Sequence, residues 1–146
     1  MVNMFQNAIT EALDAEFGYE VYPEDVPQGL VPPCFIVTVI SAHRTRENHN
    51  LYRHSVLFAV QYFPEDEENY RNEIHEVISR LNDCLEIINV EWSEGNIRHT
   101  LTENTETAIT EGVLSYVVRV EDIYVRTESG DLMEDYELEN EVEYGG

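Results

Sequence analysis

The stretch that decides the fold is residues 26–64, which read VPQGLVPPCFIVTVISAHRTRENHNLYRHSVLFAVQYFP. A loop rich in proline and glycine leads into an apolar run over residues 34–41, and a second run over 52–63 stops at Pro64. Proline and glycine interrupt strands, so the pattern predicts two strands joined by the polar segment 42–51 as a long hairpin arm. Both strands carry apolar residues on both faces. A small domain easily covers one face of its sheet from within, and an apolar second face usually needs a partner.

The rest of the chain supplies two helices and further strands. In the longer helix, apolar residues from Tyr70 to Ile88 fall at steps of three and four, while charged residues take the opposite face. After residue 122 the alternation of the last strand loses its phase, which indicates a bulge. The predicted elements are helices over 3–17 and 70–88, and strands over 19–22, 34–41, 52–63, 90–92, 97–107 and 113–126. This order predicts an α+β fold, an antiparallel or mixed sheet with two helices packed on one face.

Length and composition predict one folded domain followed by an acidic extension. At 146 residues with 42% hydrophobic content, the chain is long enough to bury roughly 68% of the surface that it exposes when unfolded. We assign residues 1–126 to a single α/β domain. Residues 127–146 hold eight acids and no base, which predicts an acidic C-terminal tail that is flexible in isolation or ordered on assembly.

The charge of the chain is strongly acidic. It has 30 acidic residues against eight arginines, no lysine, and a net charge of −22. Binding to a phosphate backbone or to an anionic bilayer relies on Lys and Arg, so this charge argues against a nucleic-acid or membrane partner. Three interpretations of the acidity stay open: a solvated acidic surface, adaptation to a salty environment, and a wall that repels DNA.

The sequence contains no constellation that is typical of catalysis. It lacks a nucleophile-elbow serine, a phosphate-cradling glycine loop and a His-Glu-x-x-His motif. His43, His49 and His54 crowd the arm, but their spacing matches no metal site that we can name. Cys34 and Cys84 lie in apolar runs, where buried thiols without a disulfide are expected. We predict a protein that is not an enzyme and needs no cofactor or metal, made in a cytoplasm, with no signal peptide and no membrane span.

The arm concentrates basic charge in an acidic chain. Three of the eight arginines lie between residues 43 and 54, with Glu47 as the only acid. One interpretation is scattered surface charge that balances local acids, and the other is an arm that docks onto the acidic body of a neighbouring copy. The candidate contact arm consists of His43, Arg44, Arg46, His49, Arg53 and His54. The candidate apolar interface residues are Phe35, Val37, Val39, Leu57 and Phe63.

Several short segments, in this order along the chain, resemble one known family. They are an N-terminal helix, Val26-Pro27-Gln28-Gly29-Leu30, Pro33-Cys34-Phe35-Ile36, Gln61-Tyr62-Phe63-Pro64 before a long helix, and Glu111-Gly112-Val113-Leu114 at a strand entry. Over residues 1–135 the chain resembles the tail terminator, or tail completion, proteins of tailed phages and prophages of Gram-positive bacteria. The absence of lysine and the long acidic end depart from the family pattern.

The resemblance implies a structural virion protein without an active site. Its subunits would close into a ring, typically a homohexamer, at the head-proximal end of the phage tail tube. There the ring would end tube polymerisation and make the head–tail connection to the neck. The implied partners are other copies of the chain, the tail tube protein, the neck or connector protein and, in contractile tails, the sheath. Genomic DNA would pass through the lumen without specific binding.

Three alternatives to this function stay open, and one of them is a small enzyme whose motifs the sequence does not reveal. Another is a head–tail joining or neck protein of similar fold, which the sequence separates poorly from a terminator. The third is an acidic inhibitor that mimics DNA and blocks a nucleic-acid enzyme, which the net charge of −22 motivates. The inhibitor would be a monomer or dimer with an elongated acidic face, and the two-sided apolar strands argue against it.

Overall fold

The computed structural model describes residues 2–23, 29–126 and 132–133. The helices in this part are α1 (Val2–Phe17) and α2 (Tyr70–Cys84). The strands are β1 (Glu20–Tyr22), β2 (Cys34–Asn48), β3 (Leu51–Phe63), β4 (Ile87–Ser93), β5 (Asn96–Thr110), β6 (Val113–Arg126) and β7 (Leu132–Met133). The acidic tail that we assigned to residues 127–146 lies outside the described residues, except for β7.

The strands form one mixed sheet in the order β1-β2-β3-β6-β5-β4, with β7 beside β6. Strand β1 runs parallel to β2, and every other pair of neighbours is antiparallel. Strand β5 is shared, because its residues 96–101 pair with β4 and its residues 102–110 pair with β6. At the turn between β5 and β6, Glu111 and Gly112 both have positive φ, at 51° and 80°, as a two-residue hairpin requires.

Both helices pack on the same face of the sheet, which we call the inner face. Alternate residues of the central strands enter this layer because side chains of a strand point to opposite faces in turn. The buried core comprises Phe35, Val37, Val56, Phe58, Val60, Tyr62, Leu114, Tyr116, Val118 and Val120 from the sheet, with Phe5, Ile9, Leu13, Ile74, Val77 and Leu81 from the helices. The predicted α+β architecture, with two helices on one face of a mixed sheet, is confirmed.

A partly buried hydrogen-bond cluster joins α2 to β3. The hydroxyl of Tyr62 donates to Glu73 Oε2 at 2.6 Å, and the backbone N–H of Glu65 donates to the same oxygen at 2.8 Å. Glu73 lies in the first turn of α2, where the helix N-terminus favours a negative charge. Burial and the Glu73 carboxylate raise the pKa of Tyr62 far above its ordinary value, so its hydroxyl stays a donor.

Helix α2 is shorter than its apolar pattern predicts. It ends at Cys84, and Ile88 belongs to β4. The reason is a tertiary contact with β5, since the Thr102 hydroxyl donates to the Leu85 carbonyl at 2.5 Å and its N–H donates to the Glu86 carbonyl at 3.0 Å. These bonds satisfy carbonyls that a continued helix would have used.

One strand prediction also needs correction. The predicted bulge after residue 122 is wrong, because β6 pairs with β3 without a shift over residues 114–125. Bulges occur instead between Val39 and Ser41, Arg46 and Asn48, Glu91 and Ser93, and Asn104 and Glu106. The threonine-rich strand predicted over residues 97–107 is β5, which lies between β4 and β6 and is largely exposed to solvent.

Candidate functional site

The hairpin arm is the distal half of the ladder between β2 and β3. Residues 42–46 pair with residues 52–56, and the chain reverses at His49 and Asn50. Strand β6 adds a third strand to the arm by pairing residues 121–125 with residues 51–55. Because residues 40–50 are all exposed, the β2 side of this ribbon faces solvent.

The inner face of the arm is cationic and aromatic. Directly paired residues share a face of a sheet, so Arg44 and Arg46 lie on the same face as their partners His54 and Tyr52. The Arg44 guanidinium carbon stands 4.7 Å from the centre of the Tyr52 ring, as in a cation–π contact. The rings of Tyr52 and Tyr124 stack with their centres 5.7 Å apart. The arm therefore presents two arginines on this face, and one of them, Arg44, lies over an aromatic ring.

Arg44 and Arg46 have no carboxylate partner within the part of the chain that the structure describes. Arg46 Nη2 donates to the backbone carbonyl of His49 at 2.6 Å and closes the turn of the arm. Acidic residues outnumber basic ones by 22 in this chain, so arginines without a carboxylate partner are unexpected. Their charge is available to an acidic group on another molecule.

The outer face of the arm differs because its charges are already neutralised. Arg53 Nε lies 3.1 Å from a carboxylate oxygen of Glu47, and its Nη1 lies 3.5 Å from Glu121. These contacts raise the pKa of Arg53, and the hydrogen bond that Arg53 donates to Glu47 is the main cause. His43 pairs with Ser55 and shares this outer face. The six candidate residues of the arm are thus divided between two faces and the turn.

His54 lies where the arm meets the body of the protein. Its Nδ1 is buried without a hydrogen-bond partner, and its ring centre stands 5.2 Å from that of Tyr124. Burial lowers the pKa of His54, and the positive charge of Arg44 lowers it further, whereas Asp122 acts in the opposite direction. Asp122 also forms an ion pair with Arg98. His54 is therefore a half-buried histidine in the base of the arm.

The structure divides the candidate apolar interface residues. Phe35 and Val37 are fully buried beneath the helices, and Val39 packs against the same core, so their side chains hold the subunit together. Their proposed place in an interface does not fit this location. Leu57 and Phe63 lie on the outer face of β3, where they are half-buried and remain candidates.

An apolar patch at the opposite border of the sheet was missed by the sequence analysis. Ile87 in β4 and Leu101 in β5 are paired directly, and they are 51% and 69% exposed. Ile97, on the same face of β5, is 59% exposed. The signal was hidden because Ile88 continued the helical spacing, which concealed the start of β4. Exposed aliphatic residues that cluster in this way mark interaction surfaces.

The described residues offer no arrangement for metal chemistry. Within them, no group of three or more His, Cys, Asp or Glu side chains could hold a metal ion. His43 and His54 lie on opposite faces of the arm, while His49 is in its turn. Cys34 and Cys84 are free thiols; burial raises the pKa of both, to about 11 for Cys84. No helix in residues 2–23 and 29–126 is long and apolar enough to cross a membrane.

Comparison with known proteins identifies the family to which the chain belongs. A family model described as phage tail terminator protein matches residues 4–131, which is most of the chain. Comparison with curated proteins found no match. One solved structure aligns over 87% of this chain and 96% of its own, with 13% sequence identity and a TM-score of 0.39. A likeness that weak carries no argument about fold or function.

Proposed function

The chain belongs to the phage tail terminator family, a family of structural tail-completion proteins, and we propose that it forms a ring that ends the tail tube. The ring would cap the head-proximal end of the tube, stop its polymerisation and provide the joint to the neck. The family match over residues 4–131 is the observation that carries this proposal. A homohexamer is the expected assembly, and the Gram-positive host stays a prediction.

The charge distribution supports an assembly of this kind. Arg44 and Arg46 lack carboxylate partners among the described residues, although the net charge of the chain is −22. The acidic surface of a neighbouring subunit, or of the tube end, would supply carboxylates that pair with these arginines. We therefore infer that the arm contacts the neighbouring copy or the tail tube protein.

The acidity also suits a channel for DNA. A ring of such subunits would surround its lumen with negative charge, which repels the phosphate backbone and prevents adhesion during passage. The neck or connector protein is the expected partner on the head side, and the sheath would be a further partner if the tail is contractile. None of these roles needs a catalytic group.

Tail length tests the proposal. We expect a phage that lacks this gene to produce tubes of variable and excessive length, because nothing stops polymerisation at the correct end. Supplying the protein in trans should restore tails of one length, measured by negative-stain electron microscopy. Tails of normal length that fail to join heads would instead assign the protein to the neck, and normal infectious particles would contradict both functions.

A further inference from the structure

Several strand edges of the sheet pair with nothing in the described part of the chain, among them the outer edges of β2 and β4. On one side, β1 pairs with β2 only from Cys34 to Ile36. The next carbonyl of β2, that of Val37, accepts a hydrogen bond from Gln6 Nε2 at 3.1 Å. Beyond that point the outer edge of β2 is open as far as the arm turn. On the other side, β4 pairs with β5 alone. The two open edges therefore lie at opposite borders of the same sheet.

Helix α1 packs beside β4, but the strand edge itself lacks the sequence features that usually protect an open strand. Soluble proteins block such edges with lysine, proline, inward charges or bulges, because unpaired N–H and C=O groups recruit other strands. From Ile87 to Glu91 the register with β5 is unbroken, and the first irregularity comes between Glu91 and Ser93. The sequence of this segment is Ile-Ile-Asn-Val-Glu, without lysine or proline. Exposed Ile87 and Leu101 then add an apolar surface beside the open backbone.

A groove runs along this edge between β4 and α1. Its volume is about 430 Å³, and its lining is small, apolar and acidic. Ala12 and Ala15 of α1 line the groove together with Ile87 of β4, and these small alanine side chains leave the space open. Glu11 and Glu16 supply acidic charge; Glu16 is paired with Arg80, whereas Glu11 has no cationic partner among the described residues. The groove is therefore suited to an extended segment with a basic side chain.

The outer edge of the arm has the complementary chemistry. It is an extended strand whose residues 42–48 are all exposed. It carries Arg44 and Arg46, which no described carboxylate neutralises. An incoming strand gains affinity from main-chain hydrogen bonds and specificity from alternate side chains, and here the alternate side chains are the two arginines.

We propose that the β2 edge of one copy adds to the β4 edge of the next copy, so that the sheet continues across the subunit boundary. The occupant of the groove is the arm of a second copy of this chain. Since the two edges lie at opposite borders, the contact is heterologous, and repetition of one such contact produces a closed ring when the rotation permits. The inference rests on the proposed ring, and it names the surfaces that build it.

Two variants separate the two halves of this contact. The arm variant, Arg44→Glu with Arg46→Glu, reverses the charge of the β2 edge. The edge variant, Ile87→Lys with Leu101→Lys, places the usual protecting residue on β4 and its neighbour. The matched controls are Arg71→Glu on the exposed face of α2 and Ile109→Lys on β5, which is 40% exposed and lies in the half of β5 that pairs with β6. Circular dichroism and thermal unfolding establish that every variant is folded.

Complementation by mixing tests the heterologous contact. We would measure self-association by sedimentation velocity, up to millimolar protein, in about 0.15 M salt, at which charges more than about 8 Å apart are screened. Each variant alone should associate at least tenfold more weakly than wild type. An equimolar mixture should form dimers that go no further, because the intact β4 edge of the arm variant meets the intact arm of the edge variant. The controls should assemble as wild type does.

Three outcomes overturn the proposal. They are a wild-type chain that stays monomeric throughout, variants that assemble unchanged, and a mixture that gains nothing over its components. Tail length, measured with the same variants, separates this inference from the proposed function. If wild type restores tail length but the mixture does not dimerise, the ring is built through other surfaces. If the mixture dimerises but wild type does not end tails, the contact is correct and the terminator function is wrong.

Discussion

One strand, β3, passes through two environments that differ in nearly every physical respect. Over residues 56–62 its inner face is fully buried beneath two helices, with Phe58 and Val60 at 0% exposure. Over residues 51–55 the same face carries Tyr52 and His54, which are half-buried and whose rings both lie against the ring of Tyr124. The backbone ladder with β6 continues unbroken through both halves.

The comparison shows that strand pairing and burial are separable in this protein. In the body, apolar burial stabilises the fold, so the side chains there are constrained by packing. In the arm, hydrogen bonds keep the strands in register while the side chains cover little apolar area. Those positions are therefore free to carry charge for contact with a partner, as Arg44 and Arg46 do.

The largest expected effect comes from the buried half of the strand. Phe58→Ala should lower the free energy of unfolding by about 3–5 kcal/mol, because it removes a fully buried ring and leaves a cavity. Chemical denaturation with urea measures the loss. Tyr52→Ala in the arm is the matched change and should cost much less, so equal losses would show that the arm is part of the cooperative core.

The link between the central strand and α2 should give the next effect. Tyr62→Phe removes the hydroxyl that donates to Glu73, and we expect a loss of about 2 kcal/mol, as is usual for a hydrogen bond to a charged group. The change is measured by the same urea unfolding. A Glu73→Gln variant should also weaken the cluster, and an unchanged midpoint in both would mean that this cluster contributes little to the body.

Charge reversal on the arm should affect assembly without affecting folding. Arg44→Glu, Arg46→Glu and Arg53→Glu together should weaken ring formation or tail docking at least tenfold, a change of about 1.4 kcal/mol in binding free energy. Thermal unfolding of the isolated subunit should change little. Arg53→Glu alone should act mainly through its contacts with Glu47 and Glu121, since its charge is already neutralised within the arm. Assembly that survives the triple change would refute a docking role for the arm.

The smallest expected effect is a pH dependence at the base of the arm. Folding lowers the pKa of His54 below its unfolded value of 6.5, mainly through burial. The folded state therefore binds this proton less readily, so the stability linked to neutral His54 is present above pH 6.5 and is lost as the pH falls through the folded pKa. Between pH 7.5 and 5, wild type should lose stability relative to His54→Gln, with His49→Gln as the control. If stability varies with pH in the same way in wild type and His54→Gln, protonation of His54 does not contribute to the pH dependence.

The sequence predicted those parts of the fold that depend on local pattern. The stripe of α2, the strands around Phe58 and the turn at Gly112 all follow from periodicity or backbone preference. Long-range contacts decided the rest. Ile88 fits the helical spacing in the sequence. In the structure Thr102 donates hydrogen bonds to the carbonyls of Leu85 and Glu86, so the helix ends before Ile88 and this residue lies in β4. No single segment encodes that contact.

The candidate site was predictable in composition but not in geometry. Counting charges identified the arm, because three arginines in a short segment are conspicuous in an acidic chain. Only the register showed that Arg44 and Arg46 share one face while Arg53 is paired on the other. The open edge of β4 depends on the order of strands in the sheet, which arises when distant segments meet.

Cryo-electron microscopy of the phage tails that contain this protein tests the central claim most directly. We predict a closed ring of this chain, with sixfold contacts, on the head-proximal end of the last tube ring. The arm of each subunit should reach its neighbour. Density for the chain in the neck, away from the tube end, would contradict a terminator and favour a joining protein. Complete absence of the chain from the particle would contradict a structural role and would favour the alternative function of an inhibitor that mimics DNA.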